Sequence, residues 1–192
     1  VPVVNFYKQF GKVRHIDATG TIQDVYCQSK ESALPECVFM LGPKASGKST
    51  LAKCMAQRQN MTHIDFCDYL LKNGLNGQDD ECVTQSFIKH LSTLQAKRVV
   101  IECFPQNQFQ AKYFLRNGTV PSHVFCCKCT KDICQERMID LGENHPNYVP
   151  SSILSKKIKE FHDNATELIP FLRDNTCYHE VSTDQQCDKS LE

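Results

Sequence analysis

Residues 41–50 read LGPKASGKST, and they hold the pattern G-x-x-x-x-G-K-[ST] at Gly42, Gly47, Lys48 and Ser49. Its chemistry is anion binding. Glycines let the backbone turn tightly, and the amides of residues 44–49 (Lys44, Ala45, Ser46, Gly47, Lys48 and Ser49) can wrap a phosphate. A helix beginning at Lys48 adds its positive end. Lys48 can bridge the outer phosphates, and Ser49 or Thr50 can sit toward Mg2+. The pattern marks a nucleoside triphosphate site and leaves the reaction open.

Such a loop must stand between a buried strand and a helix, and the sequence supplies both. Residues 37–41 (CVFML) form a continuous apolar run, as expected of a parallel strand covered on both faces. Residues 48–59 read as a helix. Further strands are expected over 61–65, 98–104, 123–129 and 177–182. Helices are expected over 68–74, 80–95, 110–118 and 131–142, and a long one over 151–175 with a bend near Pro170. Strand–helix alternation implies an α/β chain with a five-stranded parallel sheet and helices on both faces. Thr130 and Asp68 are the expected helix caps. Upstream, residues 1–27 read as helix, strand (12–17) and helix, with a stop at Gly11. Residues 28–36 read as a polar linker, and the tail after 184 as frayed.

Composition narrows the function. Basic and acidic residues balance at 22 each, so nothing suggests a nucleic-acid surface, and no apolar run is long enough to span a membrane. The chain opens at Val1, which reads as a boundary, and its first residues do not form a basic-then-apolar leader, so nothing in them points to secretion. Twelve cysteines lie scattered through apolar segments and read as small buried hydrophobes in a reducing compartment. The densest group, CCKCTKDIC at 126–134, makes a poor metal site, because Cys126 and Cys127 on a strand face opposite ways. His63 reads as structural, and sequons at Asn60, Asn117 and Asn164 as chance matches.

With its neighbours, the loop resembles the nucleoside monophosphate kinases, the family of adenylate kinase and UMP–CMP kinase. That family's loop reads roughly G-x-P-G-x-G-K-G-T, against GPKASGKST here, where Ala45 and Ser49 replace two glycines. IDFCDYLL matches the second-strand motif at Ile64, Asp68 and Leu70. ECFPQNQFQA matches the third in type at Glu102, Phe104, Pro105 and Gln110. Arg137 fits the helix after the fourth strand, and KKIKE and ATE recur in the long helix.

The resemblance covers 37–184. It implies a P-loop NTPase fold with a short lid and a trimmed monophosphate-binding arm, and a cytoplasmic domain that uses ATP with Mg2+ and a nucleoside monophosphate. It places Arg137 near the ATP base and Asp68 and Gln110 at the acceptor. Glu102 either orders the magnesium through water, beside Ser49, or is a satisfied strand-end acid.

It also makes residues 1–27 the tail of an upstream unit, so that neighbouring adenylate kinase-like domains are partners. Tandem proteins of this family include some associated with motile cilia. CYHEVSTD and KVRHIDATGT occupy similar contexts near the two ends.

The family's arginines are mostly replaced. Their positions carry Leu71, Gln106, Leu141, the stretch 147–151 and Ile158, and Arg137 alone remains; a one-residue shift brings in Lys72, Lys157 or Lys159. Phe66 and Cys67 replace the Thr-Gly pair at the acceptor. Losing one donor aimed at developing charge costs about 2.7–4 kcal/mol, or roughly 100- to 1,000-fold. Three readings follow: a weak kinase, an inactive kinase-like assembly module, or a P-loop NTPase or kinase for another small acceptor.

Overall fold

The computed structural model describes residues 2–8, 13, 15–32 and 34–184. Its strands are β1 (Glu36–Leu41), β2 (Thr62–Asp65), β3 (Arg98–Glu102), β4 (His123–Lys128) and β5 (Tyr178–Ser182). They pair only in parallel, in the order β2–β3–β1–β4–β5. Parallel pairing requires crossovers, which helices supply. Helices α1 (Pro2–Lys8) and α2 (Ile22–Ser32) precede the sheet. Then come α3 (Lys48–Gln59), α4 (Phe66–Lys72), α5 (Asp80–Thr93), α6 (Gln108–Asn117), α7 (Lys131–Leu141) and α8 (Ser151–Asn175). This is the doubly wound α/β architecture of a P-loop NTPase. Only α4 and α5 stand between β2 and β3, and 142–150, between α7 and α8, holds neither helix nor strand. Among the described residues no helix is long and apolar enough to cross a membrane.

Alternation along β1 explains why its sequence is apolar from Cys37 onward. Cys37, Phe39 and Leu41 enter one core with Phe66, Phe87, Phe104 and Phe114, while Val38 and Met40 enter a second with Ala52 and Ala56 of α3. A strand buried on both sides has no position for a polar residue. Cys126 and Cys127 divide between the same two cores, as consecutive strand residues must. Phe104 centres the aromatic core, 4.8–5.4 Å from the rings of Phe39, Phe66, Phe87 and Phe114. That packing anchors the chain where it leaves β3, directly beside the loop after β1.

Three differences from the sequence reading stand out. The cap of α4 is Asp65, which accepts from the amides of Cys67 and Asp68; Asp68 is inside the helix and pairs with Lys72 instead. Thr130 does cap α7. Helix α2 continues to Ser32, through residues read as linker. Its start is fixed by a reciprocal pair, in which the Thr21 amide donates to Asp24 and the Asp24 amide to the Thr21 hydroxyl. The strand expected over 12–17 is not formed at residues 13 and 15–17, while Lys12, Arg14, the stop at Gly11 and the tail after 184 lie outside the described residues. As expected, one long helix, α8, runs through Pro170.

Candidate phosphate-binding site

The loop closes on itself before any ligand is considered. The Ser46 amide and the Lys48 ammonium both donate to the Pro43 carbonyl, each at 3.2 Å. Lys48 is buried although it carries charge. Gly42 cannot be replaced, since a Cβ there would stand 2.7 Å from Ser46 Oγ and 2.9 Å from Cys127 Cβ. Gly47, at φ 87°, begins α3 without a side-chain cap. The first amides of α3 are therefore left without a capping side chain at the positive end of the helix, the arrangement that attracts an anion. Ser46 Oγ is buried with no hydrogen-bond partner. Ala45 sits at φ 66°, where a glycine would rest freely and a side chain costs about 1–2 kcal/mol.

Glu102 lies at the end of β3, with Met40 and Asp65 as its register partners. It is 2% exposed, and its Oε2 has no hydrogen-bond partner. Its Oε1 stands 3.2 Å from His63 Nε2. Burial pushes the carboxyl's pKa up, but His63, Ser49 and the charge of Lys48 outweigh it and hold the group below its ordinary range. An ionised, buried oxygen with spare accepting capacity beside Ser49 suits a hydrated divalent ion. Ser49 is the hydroxyl next to Glu102, whereas Thr50 is exposed on α3.

Three lysines converge here. Burial, then the charges of Lys48 and Lys157, push the Lys44 pKa down, and Lys48 and Lys157 also act on Cys67. The charge of Lys157, on α8, thus acts on the site, while Lys72 turns to Asp68 at 2.7 Å. Arg137 donates to the Ser46 carbonyl at 3.2 Å and to the carbonyl of Thr183.

The other expected acceptor residues are placed differently. Asp68 is exposed and ion-paired. Gln110 is buried, accepting from the Gln106 amide at 2.9 Å and donating to Asp80 at 2.7 Å, so its amide braces the turn after β3. Leu71 and Leu141 are exposed. Ile158 is buried in a cluster with Cys134, Met138 and Leu154, against which Ala45 of the loop, Tyr148 and Val149 also pack. His63, read from the sequence as structural, and Cys67, read there only as a replacement at the acceptor, belong to the site's surroundings together with Cys103, which the sequence did not single out; the register of β2 against β3 brings His63 to Glu102.

No family model matches the chain. It is similar to adenylate kinase isoenzyme 5 of Bos taurus, at 22% identity over 167 residues, 77% of this chain and 30% of that protein. It is similar to adenylate kinase 8 of Xenopus laevis, at 28% identity over 53% of this chain and 24% of that protein. It is also similar to UMP-CMP kinase 2 of Caenorhabditis elegans, at 22% identity over 79% of this chain and 90% of that protein. The chain therefore spans about a third or less of the two adenylate kinases. In its loop, its sheet order and its relatives, this chain resembles the nucleoside monophosphate kinase family.

Proposed function

We propose that residues 37–184 are a nucleoside monophosphate kinase-like domain that binds ATP with Mg2+ at the 42–50 loop and transfers its phosphoryl group weakly or not at all. The observation that carries this reading is Ile158. At the position where the resemblance expects an arginine, an apolar side chain is 4% exposed and packs in one cluster with Ala45 of the phosphate loop. A group used for packing cannot also neutralise a transferring phosphate.

Binding rests on what remains. Lys48 holds the outer phosphates, the uncapped amides of α3 receive them, and Arg137 stands at the edge of the loop. Ser49 and Glu102 would hold Mg2+ through water, and the ion when bound neutralises phosphate charge. Lys44 and Lys157 add positive charge as single points, without the two-pronged fork of a guanidinium. Each missing fork leaves the transition state short of a donor, at roughly 100- to 1,000-fold in rate. Residues 1–27 are read as the tail of a preceding unit, in keeping with the exposure of Val3, Phe6 and Tyr7 on α1. Adjacent adenylate kinase-like units are then the partners, and a cytoplasmic or ciliary setting belongs to the same proposal.

The test is thermal unfolding of the chain with and without Mg–ATP, in wild type and Lys48→Ala. A ligand held only by the folded state raises the midpoint. A rise in wild type that is lost in the variant, with little ADP formed from ATP when AMP, CMP or UMP is supplied as acceptor, supports the reading. Turnover at an ordinary kinase rate of about 1–100 per second sinks the weak-transfer half. No rise at millimolar ATP sinks the binding half and leaves an assembly module.

A further inference from the structure

At the opposite end of the sheet from the phosphate loop, three metal-binding side chains meet. His123 begins β4, and Cys177 and His179 lie just before and within β5. The pairs Val124–Tyr178 and Phe125–His179 set the register, so His123 stands beside Cys177 and one step from His179 on the same face. His123 Nδ1 is 3.2 Å from His179 Nε2, and Cys177 Sγ is 3.3 Å from that same nitrogen. All three donor atoms lie within 4.8 Å of one another, and all three residues are exposed.

We propose that His123, Cys177 and His179 form a zinc site, separate from the nucleotide site and independent of the kinase-like reading. Zinc bonds of about 2.0–2.1 Å to nitrogen and about 2.3 Å to sulfur imply tetrahedral edges of about 3.3–3.6 Å. The two separations that meet at His179 Nε2 approach those edges before any ion is added. Hydrogen bonding alone fits the cluster less well. His179 Nε2 carries either one proton or one lone pair, yet it faces both a ring nitrogen and a thiol. A metal uses the lone pairs of all three. Two imidazoles and a thiolate select zinc over magnesium or calcium, which take oxygen ligands.

The cluster is also held in place. Phe125 stacks on His123 at 5.9 Å and on His179 at 5.1 Å, which limits both rings. Because β5 is an edge strand, the ion pins that edge to β4. The fourth position opens to solvent and takes water or a ligand from a partner. Binding deprotonates Cys177, so affinity falls as pH is lowered.

Cobalt(II) is the probe, added to the chain without a polyhistidine tag. One equivalent should give a tetrahedral visible spectrum with a thiolate-to-cobalt charge-transfer band, and zinc should bleach it. Cys177→Ser should remove the band. His123→Ala and His179→Ala should weaken binding by at least about 10- to 100-fold, the cost of losing even an outer-shell partner. Cys67→Ser with Cys103→Ser should leave the band intact. As a measurement on the unsubstituted chain, zinc should protect Cys177 from alkylation, read by peptide mass. No thiolate band at stoichiometric cobalt, a band that survives Cys177→Ser, or unprotected Cys177 overturns the proposal.

Discussion

Arg137 ties the phosphate loop to the end of the last strand. One guanidinium nitrogen donates to the Ser46 carbonyl at 3.2 Å and to Cys129 Sγ at 3.5 Å, and the other donates to the carbonyl of Thr183. Hydrogen bonds from a charged donor contribute about 1.5–3 kcal/mol. Arg137→Ala should therefore lower stability by that order and loosen the loop. Arg137→Lys keeps the charge but cannot span two carbonyls, so it should recover less than half of the loss. Urea midpoints for the three proteins decide this. Full recovery by lysine would mean that charge alone, and not the fork, joins the two segments.

Ile158 and Lys157 are neighbours on α8 with opposite duties. Ile158 packs with Met138 and Leu154, against Tyr148 and Val149 of the 142–150 segment, while the charge of Lys157 acts on Lys44 and Cys67. Ile158→Arg should not restore a kinase. It places an unpaired charge in an apolar cluster, at a cost of about 3–5 kcal/mol. Lys157→Ala should leave stability almost unchanged and weaken phosphate binding. Thermal midpoints beside an ADP-formation assay test both. A stable Ile158→Arg protein with raised ADP formation would refute the packing account.

The sheet and its helices were legible because their signals are local. The apolar run of β1, the glycine pair of the loop and the helix after it all lie within 37–59, and α3 begins and ends where its periodicity predicts. The cap of α4 was misplaced because Asp65 and Asp68 are equally good caps on paper. Only the entry of the chain from β2 makes Asp65 the residue with extended backbone. The His63–Glu102 approach, the Cys67–Cys103 contact and the His123–Cys177–His179 cluster were invisible because each depends on which strands are neighbours and in what register. Helix α2 was cut short because its last residues, QSKES, are polar on every side and carry no periodicity.

Among the described cysteines, Cys67 should be the most reactive thiol near neutral pH. A hydrogen bond from Cys103 is the largest influence, and Lys48 and Lys157 assist it against burial and Asp65, bringing the thiol to about 7 from an ordinary value of 9.0. The proton is correspondingly held by Cys103, whose pKa is pushed up. Alkylation of Cys67 by iodoacetamide should rise with pH through about 7, because the thiolate is the nucleophile. Cys37 and Cys134, both buried and pushed up to about 12, should stay unlabelled. Cys103→Ala should move the Cys67 midpoint upward. Peptide mass spectrometry across a pH series reads each site, and a Cys67 midpoint near 9 would show that the Cys103 contact does not act on it.

His63 stands 3.2 Å from a carboxylate that is 2% exposed, and removing it should destabilise the protein in a pH-dependent way. Leaving a buried charged acceptor without its neighbour costs about 1–3 kcal/mol. Because the Glu102 carboxyl is held below its ordinary value of 4.5, it contributes stability above that value and loses it as pH falls through the lower folded value. His63→Ala removes one of the influences that oppose burial, so Glu102 will protonate at higher pH in the variant. The difference between wild type and His63→Ala should be full at neutral pH and shrink in acid, where both proteins carry a neutral Glu102. Glu102→Gln, neutral throughout, should flatten this acid limb. Denaturant midpoints measured across pH test the pairing. A cost of His63→Ala that is the same at neutral pH and well below 4.5 would mean that His63 only fills space beside the phosphate loop, and that Glu102 owes its depressed pKa to Ser49 and Lys48.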